Sequence, residues 1–390
     1  MQQPTLNLAR KWRSAQFKEI IGQDLVVRIL QNSLFKNQFF PVYLFSGQRG
    51  CGKTSTARVF ATSLNCQKLQ EFQKNPQIQM PCLQCQSCIA MTAGRHPDFI
   101  EIDAASYTGV DNIRNIIDTS SFLPLLGERK IYLIDEVHML SKAAFNAFLK
   151  ILEEPPKFVV FILATTEVQK LPDTVRSRCF QLFFNPVNLV SMTEHLEKMC
   201  NAESIAFERE GLEMIASVTQ GSLRDAINLL EQARFAAPCV TKKVVLSVLG
   251  YVDDAMVCTM LQNILQKDQL SLATLFASWS GKIISTDYLV KRSIEFLYDG
   301  LIIKYGGQAK YAGSMVTQLE AMVALVSLQD LMVCFDELCS IDMVMAKTGR
   351  KQLLFESLML RLSLRTALQQ PEVVQASTSV HDIVHEEKKK

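Results

Sequence analysis

Gly47-Gln48-Arg49-Gly50-Cys51-Gly52-Lys53-Thr54 satisfies the spacing G-x-x-x-x-G-K-[ST] at every defined position. The apolar run Tyr43-Leu44-Phe45 precedes it and a helical pattern follows, so the stretch reads as strand, glycine-rich loop and helix N-terminus. Glycines let backbone N–H groups close around phosphate oxygens without Cβ clashes. The following helix points its positive end at the same anion. On this reading Gly47, Gln48, Arg49, Gly50, Cys51, Gly52, Lys53, Thr54 and Ser55 surround the phosphates of ATP. Lys53 reaches the β- and γ-phosphates and Thr54 ligates Mg2+.

Outside this stretch, apolar runs at Phe99-Ile100-Glu101-Ile102, Ile131-Tyr132-Leu133-Ile134 and Phe158 to Leu163 predict further strands. Several are apolar throughout, as parallel strands buried on both faces are, and the connections are long enough for crossover helices. The third run ends in Asp135-Glu136. Ligands of open α/β sheets sit at the carboxyl ends of the strands, so these acids face the phosphate loop. Asp135 is expected to hold Mg2+ through water, and Glu136 to polarise the attacking water as general base. His138 reads as a packing or supporting residue. Thr165 and Thr166 follow the next strand, and a hydroxyl at either position can touch the γ-phosphate or cap the strand. Ser177-Arg178-Cys179 offers an arginine for a neighbouring subunit's nucleotide. By chemistry alone Arg176 is an equal candidate. Arg224, in Gly221-Ser222-Leu223-Arg224-Asp225, is placed either to reach the phosphates or to pair on a helix surface.

The chain has 11 cysteines, an odd number. Cys82-x2-Cys85-x2-Cys88 with Cys66 upstream supplies four thiolates, enough to close a tetrahedral structural zinc site. An iron–sulfur cluster uses the same spacing but is typically followed by another Cys and Pro. Here Ile89-Ala90-Met91 follows, which favours zinc. The other cysteines read as small buried hydrophobes.

Hydrophobic residues make up 48% of the 390 and charged residues 21%, the composition of a globular protein with two or three cores. No apolar run is long enough for a membrane span and the N-terminus is not a secretory signal, so a cytoplasmic protein is expected. The net charge of +2 announces no nucleic-acid partner in bulk. Beyond about residue 187 the apolar period becomes helical, as in Leu212, Ile215, Ala216 and Val218. The expected organisation is a nucleotide-binding α/β domain at 1–181 carrying the cysteine module at 66–88. A small helical lid follows at 182–243, an all-helical domain at 244–368, and a disordered tail at 369–390.

Taken together these motifs resemble the gamma/tau subunits of the bacterial DNA polymerase III clamp loader, members of the AAA+ ATPases. The resemblance is carried by Leu8-Ala9-Arg10-Lys11-Trp12-Arg13, Ile21-Gly22-Gln23, Tyr43 to Thr54 and the four cysteines. Further matches are Asp103-Ala104-Ala105-Ser106, Val110 to Arg114, Tyr132 to Leu140, Asn146 to Pro156, Ala164-Thr165-Thr166, Lys170-Leu171-Pro172 and Ser177-Arg178-Cys179. It covers about residues 8 to 235, roughly the first 60% of the chain. The resemblance implies an α/β AAA+ P-loop NTPase core with a zinc module, a helical lid and a C-terminal oligomerisation collar. It implies an N-terminal segment near the adenine, including Ile21, and it selects Arg178 over Arg176 as the arginine acting in trans. Arg224 becomes a second sensor of the nucleotide. The implied cofactors are ATP, Mg2+ and structural Zn2+.

The implied activity is Mg2+-dependent ATP hydrolysis within the DNA polymerase III holoenzyme, whose polymerase chemistry belongs to another subunit. The implied partners are delta and delta-prime subunits in a hetero-pentamer, the ring-shaped sliding clamp and primer–template DNA. The polymerase core and helicase join only through a longer tau-type form. Three departures stand out. Ser14-Ala15-Gln16 replaces a proline-containing turn, Cys66 and Cys82 are further apart than usual, and Tyr107 stands where a basic residue is often found. The rival readings are a branch-migration helicase motor and a non-hydrolysing stator like delta-prime. The intact Lys53, Thr54 and Glu136 count against the stator.

Overall fold

Five parallel strands form the central sheet of the first part of the chain: β1 (Val42–Gly47), β2 (Phe99–Asp103), β3 (Lys130–Asp135), β4 (Val159–Thr165) and β5 (Phe180–Phe184). Their order in space is β2-β3-β4-β1-β5. The structure is a computed structural model and describes residues 7–106, 109–279, 281, 283–345 and 348–364. The expected tail at 369–390 and the departure at residue 107 lie outside the described residues.

The strands read as apolar runs because both faces of the sheet are covered. Every residue of β4 is buried. Successive side chains go to opposite faces. Tyr43 and Phe45 pack with the helices Asp24–Phe35 and Lys53–Leu64, through residues such as Leu30 and Phe60. Val42 and Leu44 pack on the other face with the helices Val110–Ser120 and Lys142–Glu153, through Ile113 and Phe148.

This strand order positions the site. β3, β4 and β1 are adjacent, so the loops at their carboxyl ends emerge side by side. Ser46 pairs with Thr165 across β1 and β4, and Asp103 pairs with Asp135 across β2 and β3.

Strand β5 does not figure among the sequence-predicted strands. It is a five-residue edge strand with only Leu182 and Phe184 buried, and its short run Phe180-Gln181-Leu182-Phe183-Phe184 is apolar on its open face too, so no alternation marks it in the sequence. It extends the sheet to Phe184, past the anticipated boundary at 181. The three-helix lid then begins with Leu189–Ala202 and continues through Arg209–Val218 and Leu223–Ala236.

The described residues divide into two compact units between Val245 and Leu246. The second is all helical, with Asp254–Leu265, Gln269–Trp279, Thr286–Lys304, Val316–Ala324, Leu328–Met345 and Lys351–Leu364 around a core that includes Trp279, Phe296, Leu331 and Phe355. Two buried or half-buried charges fix its connections. Asp299 accepts the amides of Lys310, Tyr311 and Ala312 at 2.9, 2.6 and 2.6 Å. Arg292 forks onto both oxygens of Asp254 at 2.8 Å. Among the described residues, no single helix is long and apolar enough to cross a membrane.

Candidate nucleotide site and cysteine cluster

The loop between β1 and the helix Lys53–Leu64 takes the conformation its glycines permit. Gly50 and Gly52 have φ of 76° and 101°, in the region that side chains disfavour. A Cβ on Gly50 would also collide with the Ser222 hydroxyl of the lid. Lys53 is buried, and its Nζ donates to the carbonyls of Gly47 and Gln48 at 2.8 and 2.9 Å, which sets the ammonium across the mouth of the loop. Gln23, also buried, ties this loop to the sheet edge. Its amide reaches Cys51 O at 3.3 Å and Asn185 O at 2.6 Å, and its oxygen accepts from Asn185 N. Sequence assigns Gln23 no such role, and only the packed fold shows it.

The acids follow from the sheet. Thr54 Oγ1 donates to Asp135 Oδ2 at 2.6 Å, so hydroxyl and carboxylate converge on one point. Such an oxygen pair fits one or two protein ligands of a divalent cation that keeps waters and substrate oxygens for the rest. Glu136 adopts a left-handed backbone (φ 47°, ψ 44°), a conformation costly for a residue with a side chain and concentrated at functional sites. Its Oε2 accepts Thr166 Oγ1 at 2.9 Å and Thr166 N at 3.3 Å.

The two threonines therefore take different partners. Thr165, fully buried, bonds His138 Nδ1 at 3.0 Å. His138 stands with Nδ1 3.4 Å from Glu136 and Nε2 3.4 Å from Glu167. It thus links the two acids and Thr165, a role with no signal in the sequence beyond its place after Glu136.

A cavity of about 1100 Å3 opens over these groups. Ile21 and Trp12 line it from the N-terminal segment, and Arg10, Arg13, Arg49, Arg58 and Arg224 place guanidinium groups around it. Asp103, Asp135 and Glu136 are its only acidic lining residues among those described, so cations prevail, as a polyanion requires. Burial and the nearby Arg58, Arg224 and Arg10 pull the Arg13 pKa below its usual value. Arg58 pairs with Glu101 at 2.5 Å. The N-terminal segment is held to the lid: Trp12 Nε1 donates to Glu203 at 2.9 Å and Lys11 pairs with the same carboxylate at 2.7 Å. Arg224 N reaches Gly50 O at 3.4 Å, which brings the lid against the phosphate loop.

Arg178 does not line this cavity. It sits in the turn before β5 and pairs with Glu153. Arg176 pairs with Asp173 on its own short helix.

Cys66, Cys82, Cys85 and Cys88 bring four sulfurs within 4.8 Å of one another. Cys82 and Cys88 are 3.8 Å apart, the separation of two ligands on a tetrahedral centre with metal–sulfur bonds of about 2.3 Å. The Cys85 amide donates to Cys82 Sγ at 3.4 Å. Interaction between the clustered Cys66 and Cys88 sulfurs draws the Cys66 thiol down to about 5 and drives Cys88 up. The donor set fits a closed four-thiolate metal.

Comparison with known proteins agrees with this architecture. Residues 22–188 match the family described as "DNA polymerase III, delta subunit", and residues 191–235 match "DNA polymerase III clamp loader subunit, ATPase lid domain". The DNA polymerase III subunit gamma of Buchnera aphidicola subsp. Baizongia pistaciae is 36% identical over 330 residues, 83% of this chain and 87% of that protein. The chain belongs to the gamma/tau family of DNA polymerase III subunits. This alignment is longer than the 60% carried by the motifs, so the family likeness reaches into the second unit. The Haemophilus influenzae subunit tau/gamma is 45% identical over 248 residues, and the Escherichia coli subunit tau is 39% identical over 292. The matches span 35% and 44% of those two proteins.

Proposed function

We propose that this gamma/tau-family chain is an ATP-hydrolysing subunit of the clamp loader, whose cycle loads the sliding clamp onto primed DNA. The observation that carries the reading is the intact set around β3: Lys53 at the loop mouth, Thr54 on Asp135, and Glu136 held by Thr166. A stator has no need of Lys53, Thr54, Asp135 and Glu136 together, so the match of residues 22–188 to a delta-subunit family reads as common ancestry.

Bound ATP with Mg2+ supplies the scissile γ-phosphoryl group and the charge that the site must bind. The glycine loop amides and Lys53 bind and orient the phosphates. Thr54 and Asp135 would hold the cation. Glu136 accepts the proton of the attacking water, and Thr166 with His138 fixes the direction of its carboxylate. Thr165, turned to His138, sits one step further from the reacting atoms than Thr166. Arg224 reaches the phosphates from the lid. Arg178 acts on the nucleotide of an adjacent subunit, where it stabilises charge on the transferring group. Trp12 and Ile21 form the apolar wall for the base. The four cysteines would hold zinc, closing an otherwise polar insertion as a structural element.

The proposed organisation keeps the order of nucleotide domain, lid and collar expected at 1–181, 182–243 and 244–368, with the first boundary moved past the end of β5 at Phe184. The proposed partners are delta and delta-prime, the clamp and primer–template DNA, in the cytoplasm. The test is ATP hydrolysis by the purified chain alone, and then with clamp, primed DNA, delta and delta-prime. Strong stimulation by the full mixture supports the reading. Activity indifferent to clamp and DNA refutes it in favour of a motor with another client.

A further inference from the structure

Arg178 is tethered by an acid from a distant part of the sequence. Glu153 ends the helix Lys142–Glu153. Arg178 stands 25 residues later, in the turn between the helix Asp173–Arg176 and β5. Its Nη2 donates to Glu153 Oε1 at 2.5 Å and its Nη1 to Thr174 O at 2.6 Å. A guanidinium has five N–H donors in one plane, so among the described residues two are used and three remain for an anion. The side chains are 34% and 51% exposed, and an ion pair this open to solvent adds little to folding stability. What it does supply is direction. The Glu153 helix is anchored through Ala144, Phe145, Phe148 and Leu152 to the sheet face that carries Ile134 and Leu163. Arg176 has no such reference, since its partner Asp173 lies on its own helical turn and moves with it.

We propose that Glu153 is a positioning residue for Arg178, fixing the line along which the guanidinium leaves the surface toward the nucleotide of the adjacent subunit. This rests on the trans-acting reading of Arg178. An arginine side chain released from both ends samples many rotamers, and few of them present its fork to a phosphoryl group. Misplacement by about 1 Å can cost on the order of a hundredfold in rate. Thr174 O still restrains one edge, so a smaller loss is expected when Glu153 alone is removed.

The experiment uses the assembled complex with clamp and primed DNA, and compares Glu153→Ala, Glu153→Gln, Arg178→Ala and the double variant Glu153→Ala/Arg178→Ala. Glu153→Ala is expected to lower kcat on the order of tenfold with ATP affinity unchanged. Glu153→Gln, whose amide oxygen still accepts from Nη2, is expected to stay within about threefold of the intact complex. The double variant should be no slower than Arg178→Ala alone, because both changes remove one interaction. A Glu153→Ala rate equal to or above that of the intact complex overturns the proposal. So does a double variant slower than Arg178→Ala, or a Glu153→Gln as slow as Glu153→Ala. If Glu153→Ala is silent while Arg178→Ala is slow, this inference alone fails. If Arg178→Ala is itself silent, the trans-acting reading fails and carries the inference with it.

Discussion

Glu136→Gln separates binding from chemistry at this site. The substitution keeps side-chain length and leaves an amide oxygen to accept the bonds from Thr166 Oγ1 and N at 2.9 and 3.3 Å. Two bonds to a charged acceptor become bonds to a neutral one, a change of about 1 kcal/mol in folding stability. The left-handed backbone at this position is unaltered. Lys53, Thr54 and Asp135 make no side-chain bond to the Glu136 carboxylate among the described residues, so ATP affinity should shift by under about threefold. The rate should change far more. A positioned general base contributes about 10^2–10^4, which at 1.36 kcal/mol per tenfold is about 3–5 kcal/mol of barrier. The assay is single-turnover hydrolysis in the assembled complex, with affinity measured in parallel by a fluorescent ATP analogue. A variant that hydrolyses within about threefold of the intact protein would refute the assignment of Glu136 as base.

Three further outcomes are expected. Lys53→Ala removes the ammonium that spans the loop mouth, and should abolish nucleotide binding in equilibrium titration while leaving the fold intact. Cys85→Ser should release one equivalent of zinc, read by metal analysis, and lower the thermal midpoint of the first unit; iron and sulfide in place of zinc would overturn the metal assignment. His195, whose buried Nε2 has no partner among the described residues and whose ring packs edge-on to Trp12 at 6.0 Å, has its pKa pushed down to about 4 by burial. A folded pKa below the unfolded value means that the unfolded chain binds the extra proton, so stability is full above about pH 6.5 and falls as pH drops toward 4. The intact protein should therefore lose thermal stability between pH 6.5 and 4 more steeply than His195→Gln, and equal slopes would refute this.

The phosphate loop, the acids at the end of β3, the four-cysteine set and the α/β-then-helical order are all legible in the linear chain. Each of these is a local pattern: residue type at fixed spacing, with a strand or helix beside it. The separate partners of Thr165 and Thr166 are open in the sequence, because one ends β4 and the other begins the loop after it, and only the packed fold says which of them meets Glu136. β5 escaped because an edge strand buries one face over five residues and shows little periodicity. The need for glycine at position 50 is partly set by Ser222, which only chain folding brings over the loop. Likewise Gln23 on Cys51, Trp12 on Glu203 and Glu153 on Arg178 join residues far apart in the chain. Spacing encodes what one element does alone, whereas these contacts depend on how separate elements pack, which no local pattern of residues carries.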